Sequence, residues 1–349
     1  MSLLNQYCFN KGNYYLNTAG PTKSPKKVWE LSNFQAKSAP LIYDNVLYLC
    51  IDKCFIAIDP ENGNTLWEYK IPGQATIPVF KTEHVFFGGY YSDNYVYCLN
   101  KNTGKEIWKY RTGSSHSGVQ RNPLISKDSL ILTAGKTIHV LDIVTGKKRW
   151  TLNLKKRIGY NTLVVTDEKA YAITYEGPNN LFLHCIDLDS RKELWKTKVS
   201  KPISDPIYIN GDLYFLNCEG DLCFVDQQTG EISRTKIIKL KKEASHLFLV
   251  YHDGILLIVC DYYILARDLK SNTWLWHKHI TGKIGKPIVN SSVVYFGSMR
   301  CGIFGLDIKT GKEKFNINTN VRSKFACSIG ANKLFYAGSM NEHELTAYK

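Results

Sequence analysis

Two histidines stand two residues apart, His277 and His279 in the run WHKHI, where a strand would turn both imidazoles to one face and let them ligate one metal ion together. No third ligand stands nearby in the chain, so a sheet-edge strand with solvated polar residues is the better account. A second candidate is GSSHSG, Gly113 to Gly118, which sets Ser beside His. A nucleophile elbow needs a strand-to-helix turn, and no helix is indicated here. Its backbone amides could cradle an anion, but a loop leading into a strand explains the composition as well. The ten cysteines form the third set. Cys50 with Cys54 and Cys218 with Cys223 are the close pairs, each across a strand turn, whereas a zinc site needs four converging ligands. Most cysteines end apolar runs, as in LYLC at Cys50 and LLIVC at Cys260, and read as small core residues of a protein kept in a reducing compartment. The expectation is therefore no catalytic residue, no metal and no cofactor.

The elements that would position any site come from a repeat. The turn-and-strand phrase NKNTGKEIWKY at Asn100 to Tyr110 returns as DIVTGKKRWTL at Asp142 and DIKTGKEKFNI at Asp307. Aligned on the aromatic after the turn, Trp29, Trp67, Trp108, Trp150, Trp195, Trp276 and Phe315 mark copies, and DQQTGEISR from Asp226 supplies a degenerate one, making eight. Each copy holds three short apolar runs separated by polar turns, then the Thr-Gly turn and the aromatic run; in the first these are PLI, VLYLC, CFIAID and TLWEYK. Four short strands joined by hairpins make one twisted antiparallel sheet. The Asp opening the turn can accept bonds from amides two residues on, and Gly63, Gly104, Gly146, Gly230 and Gly311 supply the positive φ of a short bulged hairpin.

After Phe315 only three runs remain, FACSI, KLFYAGS and ELTAYK, while KKVWEL at Lys26 to Leu31 has an aromatic run but no preceding three. The spacing predicts that this strand pairs beside Glu344 to Lys349 and completes the last blade. The fold expected is all-β: one eight-bladed β-propeller domain over 1–349, with a latch strand at 24–33, seven full blades over 36–320 and three strands of the last blade over 321–349.

The recurrent D-x-x-T-G-K-x-x-W hairpin, its eight copies and the segment NTAGPTKSPKKVWEL resemble the pyrroloquinoline-quinone-like β-propeller repeat family over residues 13 to 349. The resemblance implies the propeller and leaves the work open, because members include quinone-dependent dehydrogenases and smaller non-enzymatic propellers similar to the lipoprotein of the bacterial outer-membrane barrel-assembly machinery. The dehydrogenases hold their quinone with calcium, a catalytic Asp and typically an adjacent Cys-Cys pair. No two cysteines are adjacent here, acidic residues with calcium-ligand spacing are missing, and the size is nearer the second group.

Surface remains. In propellers the segment leading into each innermost strand lines the channel mouth, and those segments supply Lys37, Gln74, Arg121, Tyr160, Asp205, His246, Lys286, Arg322 and Lys324. Five are cationic and one acidic, in a chain of net charge +14. Two further basic stretches are KIIKLKK, Lys236 to Lys242, whose alternation turns its lysines outward, and KKR, Lys155 to Arg157. No nucleic-acid motif accompanies them. The reading is a non-catalytic, monomeric scaffold that binds a protein or peptide of acidic character through loops at one face. The alternative is an enzyme or small-ligand sensor using the central funnel. With no run of eighteen apolar residues and no secretory leader pattern in MSLLNQYCFNKGNYY, the expected compartment is the cytoplasm, with the periplasm or the exterior as the alternative if a leader has been removed ahead of Met1-Ser2-Leu3.

Overall fold

Four short strands per copy become four-stranded antiparallel sheets, and a computed structural model of the chain describes residues 20–32, 36–113, 118–119, 121–159, 163–166, 168–177, 180–199, 204–290, 292–299, 301–318, 325–330, 332–338 and 344–349. The fold is an eight-bladed β-propeller. In the first blade Leu41–Tyr43, Val46–Ile51, Cys54–Ile58 and Thr65–Lys70 pair in chain order. The fourth blade has its first strand broken in two, Arg157–Ile158 and Val164–Val165, both paired with Lys169–Tyr175. By backbone proximity the chain divides into two compact units, one containing Pro78–Leu249, the other Asn13–Ile77 with Val250–Lys349.

The middle strands are apolar on both faces, because each is covered by sheets on either side. Cys54–Ile58 and Ile255–Cys260 are buried at every residue. Within the first unit, Phe86, Val96 and Cys98 pack on Leu130, Leu132 and Leu141 of the next blade, and Leu183, Cys185 and Val199 on Leu213, Phe215 and Val225. Outermost strands have one covered face only. They alternate, as in Thr65–Lys70, where Trp67 and Tyr69 turn inward.

The repeated turn has one geometry throughout. The glycine N–H donates to the carbonyl of the opening Asp or Asn at 2.9 Å for Gly63, Gly104 and Gly146 and at 2.8 Å for Gly230 and Gly311. The side-chain oxygen of the same residue accepts from the amide two residues on, as Asp59 does from Glu61 at 2.8 Å, and from the Thr amide three on, as Asp226 does from Thr229 at 2.8 Å. The five glycines have φ between 68° and 80°, as the turn requires.

A β-bulge follows the turn in seven blades. The residue before the aromatic is extra to the ladder: Val28, Leu66, Ile107, Arg149, Leu194, Leu275 and Lys314. The fifth blade, whose outer strand Ile232–Lys236 has no aromatic, runs without a shift. A bulge turns two residues against one and re-aims the side chain after it. Here it aims the ring at the following blade's turn. Trp29 Nε1 donates to Pro60 O at 3.0 Å, Trp195 Nε1 to Gln227 O at 2.9 Å and Trp276 Nε1 to Ile308 O at 2.8 Å. The turn glycine lies flat against the ring, so a Cβ on Gly146 would stand 2.5 Å from Trp108 and one on Gly311 2.6 Å from Trp276. Behind five of these rings sits a second aromatic from the blade's second strand, with centroids 5.9 Å apart for Tyr48 and Trp67 and 6.0 Å for Tyr171 and Trp195, whereas the second strands beside Trp150 and Trp276 are wholly non-aromatic.

The latch is formed as the spacing predicts. Lys27–Ser32 pairs antiparallel with Glu344–Tyr348, with Trp29 opposite Ala347 and Leu31 opposite Leu345, and Lys26 and Lys349 exchange backbone bonds of 2.8 Å. The segment before the strand replaces the missing Asp-x-x-Thr-Gly turn. Phe315 has no ring N–H to donate, and the Tyr295 hydroxyl behind it donates instead to Pro21 O at 2.9 Å. Lys333, fully buried in the last blade, reaches Glu61 in the first blade's turn.

Candidate interaction surface

In two of the lead-in segments a serine acts as a clasp. Ser38 Oγ accepts from Cys50 N at 2.8 Å and Ser204 Oγ from Leu216 N at 2.9 Å, which fixes each segment against the second strand of its blade. Lys37 N donates to Cys50 O at 2.7 Å, and Gln74 opens the short strand Gln74–Ala75, whose Ala75 N donates to the Cys50 thiol at 3.1 Å. Of the nine residues expected at the mouth, Lys37, Gln74 and Lys286 belong to one unit and Arg121, Asp205 and His246 to the other; all six are half-buried. Arg121 Nε is buried with no partner among the described residues. Tyr160, Arg322 and Lys324 lie outside the described residues.

His277 and His279 both face solvent on Thr273–His279, the outermost strand of its blade, and His279 packs edge-on to Tyr263 at 5.0 Å. The centre of GSSHSG, 114–117, lies outside the described residues. A hydroxyl–imidazole–carboxylate chain does occur in the fourth blade, with Thr174 Oγ1 2.7 Å from His184 Nε2 and His184 Nδ1 2.6 Å from Glu193. Thr174 is completely buried, so no substrate reaches that hydroxyl, and burial lowers the pKa of His184, which serves as a neutral bridge. Asp93 is likewise internal. Burial raises its carboxyl, which accepts from Tyr97 Oη at 3.0 Å and Tyr95 N at 3.0 Å.

Seven of the described cysteines are buried. Burial pushes Cys50 and Cys185 up to about 11 and Cys98 and Cys223 to about 12, which leaves them almost wholly protonated and inert. Among the described residues no three of His, Cys, Asp and Glu stand where they could share a metal ion. With the described cysteines dispersed over separate strands and no such oxygen cluster among the described residues, the described part of the chain does not fit a quinone held with calcium.

Sequence reasoning missed the bulge residues. Val28, Leu66, Ile107, Leu194 and Leu275 are apolar and exposed on outermost strands. The available signal was an aliphatic residue directly before Trp in five copies, where strict alternation would place a polar one. The lysines of KIIKLKK do face outward, but Lys236 is tied to Asp221 at 2.7 Å.

The family model described as outer membrane protein assembly factor BamB matches residues 22–236. A curated relative of that name from Moranella endobia is 20% identical over 234 residues, 62% of this chain and 58% of the relative. The chain thus matches less than two thirds of that relative's length. Among solved structures, BamB from Moraxella catarrhalis superposes with a TM-score of 0.67 at 16% identity, over 93% of this chain and 97% of that one. Quinohemoprotein alcohol dehydrogenase from Comamonas testosteroni reaches 0.71 at 13% identity over 98% and 79%, a likeness of fold alone. The cytoplasmic expectation is overturned by a family named for assembly at the outer membrane. The thiols that suggested a reducing compartment are shielded by packing, and a buried protonated thiol is silent about its surroundings. With its repeated turn, its latched last blade and a family match running from the latch through the fifth blade, the chain belongs to the quinone-like propeller family of outer membrane protein assembly factor BamB.

Proposed function

We propose that the chain is a non-catalytic, monomeric scaffold that holds an acidic protein or peptide partner through the loops leading into its innermost strands. The observation that carries this reading is the family match to an assembly factor over residues 22–236. It is supported by three half-buried cations in the lead-in segments, Lys37, Arg121 and Lys286, in a chain of net charge +14. The proposed contact set is completed by Gln74, Tyr160, Asp205, His246, Arg322 and Lys324. Lys37, whose backbone is held by its bond to Cys50 O, would lose little ordering entropy on meeting a partner.

The test is site-specific photo-crosslinking from Lys37, Arg121 and Lys286 in the native host, with Lys239 and Lys241 as controls. Crosslinks to one acidic protein from the first set only are the expected result. Adducts from both sets alike, or from neither, would sink the reading. For the enzymatic alternative, pyrroloquinoline quinone added with calcium is expected to leave the melting temperature unchanged and to support no dye-linked oxidation, since any ligand that binds the native state must stabilise it.

A further inference from the structure

Five outermost strands carry an exposed aliphatic residue at the bulge, and one of them differs from the rest in charge. The strands bearing Val28, Leu66, Ile107 and Leu194 each contain a glutamate, Glu30, Glu68, Glu106 and Glu193. Thr273–His279, reading TWLWHKH, has no carboxylate at all. It also exposes a second large apolar side chain, with Trp274 46% and Leu275 37% accessible. The Arg267 guanidinium lies 5.1 Å from the Trp274 ring centre, and Lys270 is exposed in the turn that precedes the strand. This strand ends its sheet, so one backbone edge has no neighbouring strand within the blade.

An unpaired edge with apolar side chains is a template for strand addition, and natural edges are blunted by charged side chains, bulges or twist. Here the strand carries the bulge at Leu275 and one lysine, Lys278, which lies 3.6 Å from Glu313 of the next blade's outermost strand. Arg267 on the neighbouring strand and Lys270 in the turn add cationic charge beside the exposed Trp274, which favours acidic segments over basic ones. We propose that the outer edge of the sixth blade is a second docking surface, separate from the lead-in loops, which takes an extended protein segment alternating acidic and aliphatic side chains by β-strand addition. Leu275 and Trp274 cover the aliphatic positions, and Arg267 and Lys270 face the carboxylates.

The experiment uses the full chain and two blocked octapeptides, one alternating Glu and Val, one alternating Lys and Val. Amide hydrogen exchange and tryptophan fluorescence are read on titration. Expected are slowed exchange confined to 273–279, binding at least tenfold weaker for the Lys peptide, and at least tenfold loss in Leu275→Lys and in Trp274→Ser. Leu194→Lys, at the matching place of the fourth blade, should leave binding unchanged. The proposal is overturned by absence of protection in 273–279, by equal affinity for both peptides, or by equal loss in Leu194→Lys. It is overturned too if sedimentation shows a dimer that Leu275→Lys dissolves, since the edge would then be occupied by a second copy. Unchanged melting of each variant guards against unfolding as the cause of any loss.

Discussion

At the scale of single residues, buried imidazoles set how the protein answers acid. His139 is buried, its Nδ1 3.2 Å from the Tyr110 hydroxyl, and burial with the nearby Lys148 charge lowers its pKa from 6.5 to about 4. The unfolded chain binds that proton near pH 6.5 and the folded one only near 4, so stability is complete above 6.5 and falls as the pH drops through this window. At pH 5 the loss from this residue amounts to about 2 kcal/mol. His139→Gln should flatten the urea midpoint between pH 7 and pH 5 by that amount, leaving the slope contributed by His184. An unchanged slope would mean that His139 is protonated in the fold. The Asp142 carboxyl is held well below its ordinary range by the Arg149 guanidinium, with help from the Thr145 amide, but it is only half-buried and adds little to this window.

At the scale of the element, one hairpin joins turn, bulge and ring, and its tolerances differ from blade to blade. A Cβ on Gly146 would stand 2.5 Å from the Trp108 ring, whereas on Gly63 it would stand 3.2 Å from Trp29. Both glycines have positive φ, 68° and 80°, so Ala pays backbone strain at each, and only at Gly146 must a packed indole also move. Gly146→Ala should therefore cost about 2 kcal/mol or more and Gly63→Ala about 1, compared by chemical denaturation. Equal losses would mean that the indole yields freely. The latch gives a second expectation. Trp29 packs at 5.9 Å from Phe335 and bonds Pro60 O, joining the last blade to the first. Trp29→Ala should lose about 3 kcal/mol. Removing residues 20–32 should lower the melting temperature further, because it exposes the edge of Glu344–Tyr348 and strips the acceptor from Tyr295. A truncated protein that melts like the intact one would show that the last blade stands without its fourth strand.

At the scale of the whole molecule, the charge of +14 is a property of surface and partner choice rather than of fold. Reversing Lys37, Arg121 and Lys286 to Glu should leave the melting temperature almost unchanged, since charges outside the core move stability by about half a kcal/mol each. Association with the proposed acidic partner should slow at least tenfold and lose much of its salt dependence, read by stopped-flow mixing at two ionic strengths. Reversal of Lys239, Lys241 and Lys242, all exposed in the connector after the fifth blade, is the comparison. Equal slowing from both triples would reduce the lead-in cations to a share of general polyanion attraction.

What the sequence by itself determined is local or periodic. The Asp-to-Gly turn closes within five residues, so its bonds and its positive φ follow from the letters at Asp142 and Gly146 alone. The count of copies and the orphan strand at Lys27–Ser32 forced eight blades and the latch, because an unpaired strand and a three-stranded blade leave the same backbone groups unsatisfied. The tertiary structure decided what depends on a partner far along the chain. That Trp29 seeks Pro60 O, that Tyr295 makes up for Phe315, and that Lys333 reaches Glu61 are meetings across 31, 274 and 272 residues, which no local spacing encodes. The bulge belongs to the same class: it accompanies the outer strands that carry a packed ring and is missing in the fifth blade, which has none, so the exposure of the residue before the ring is decided by how that ring packs.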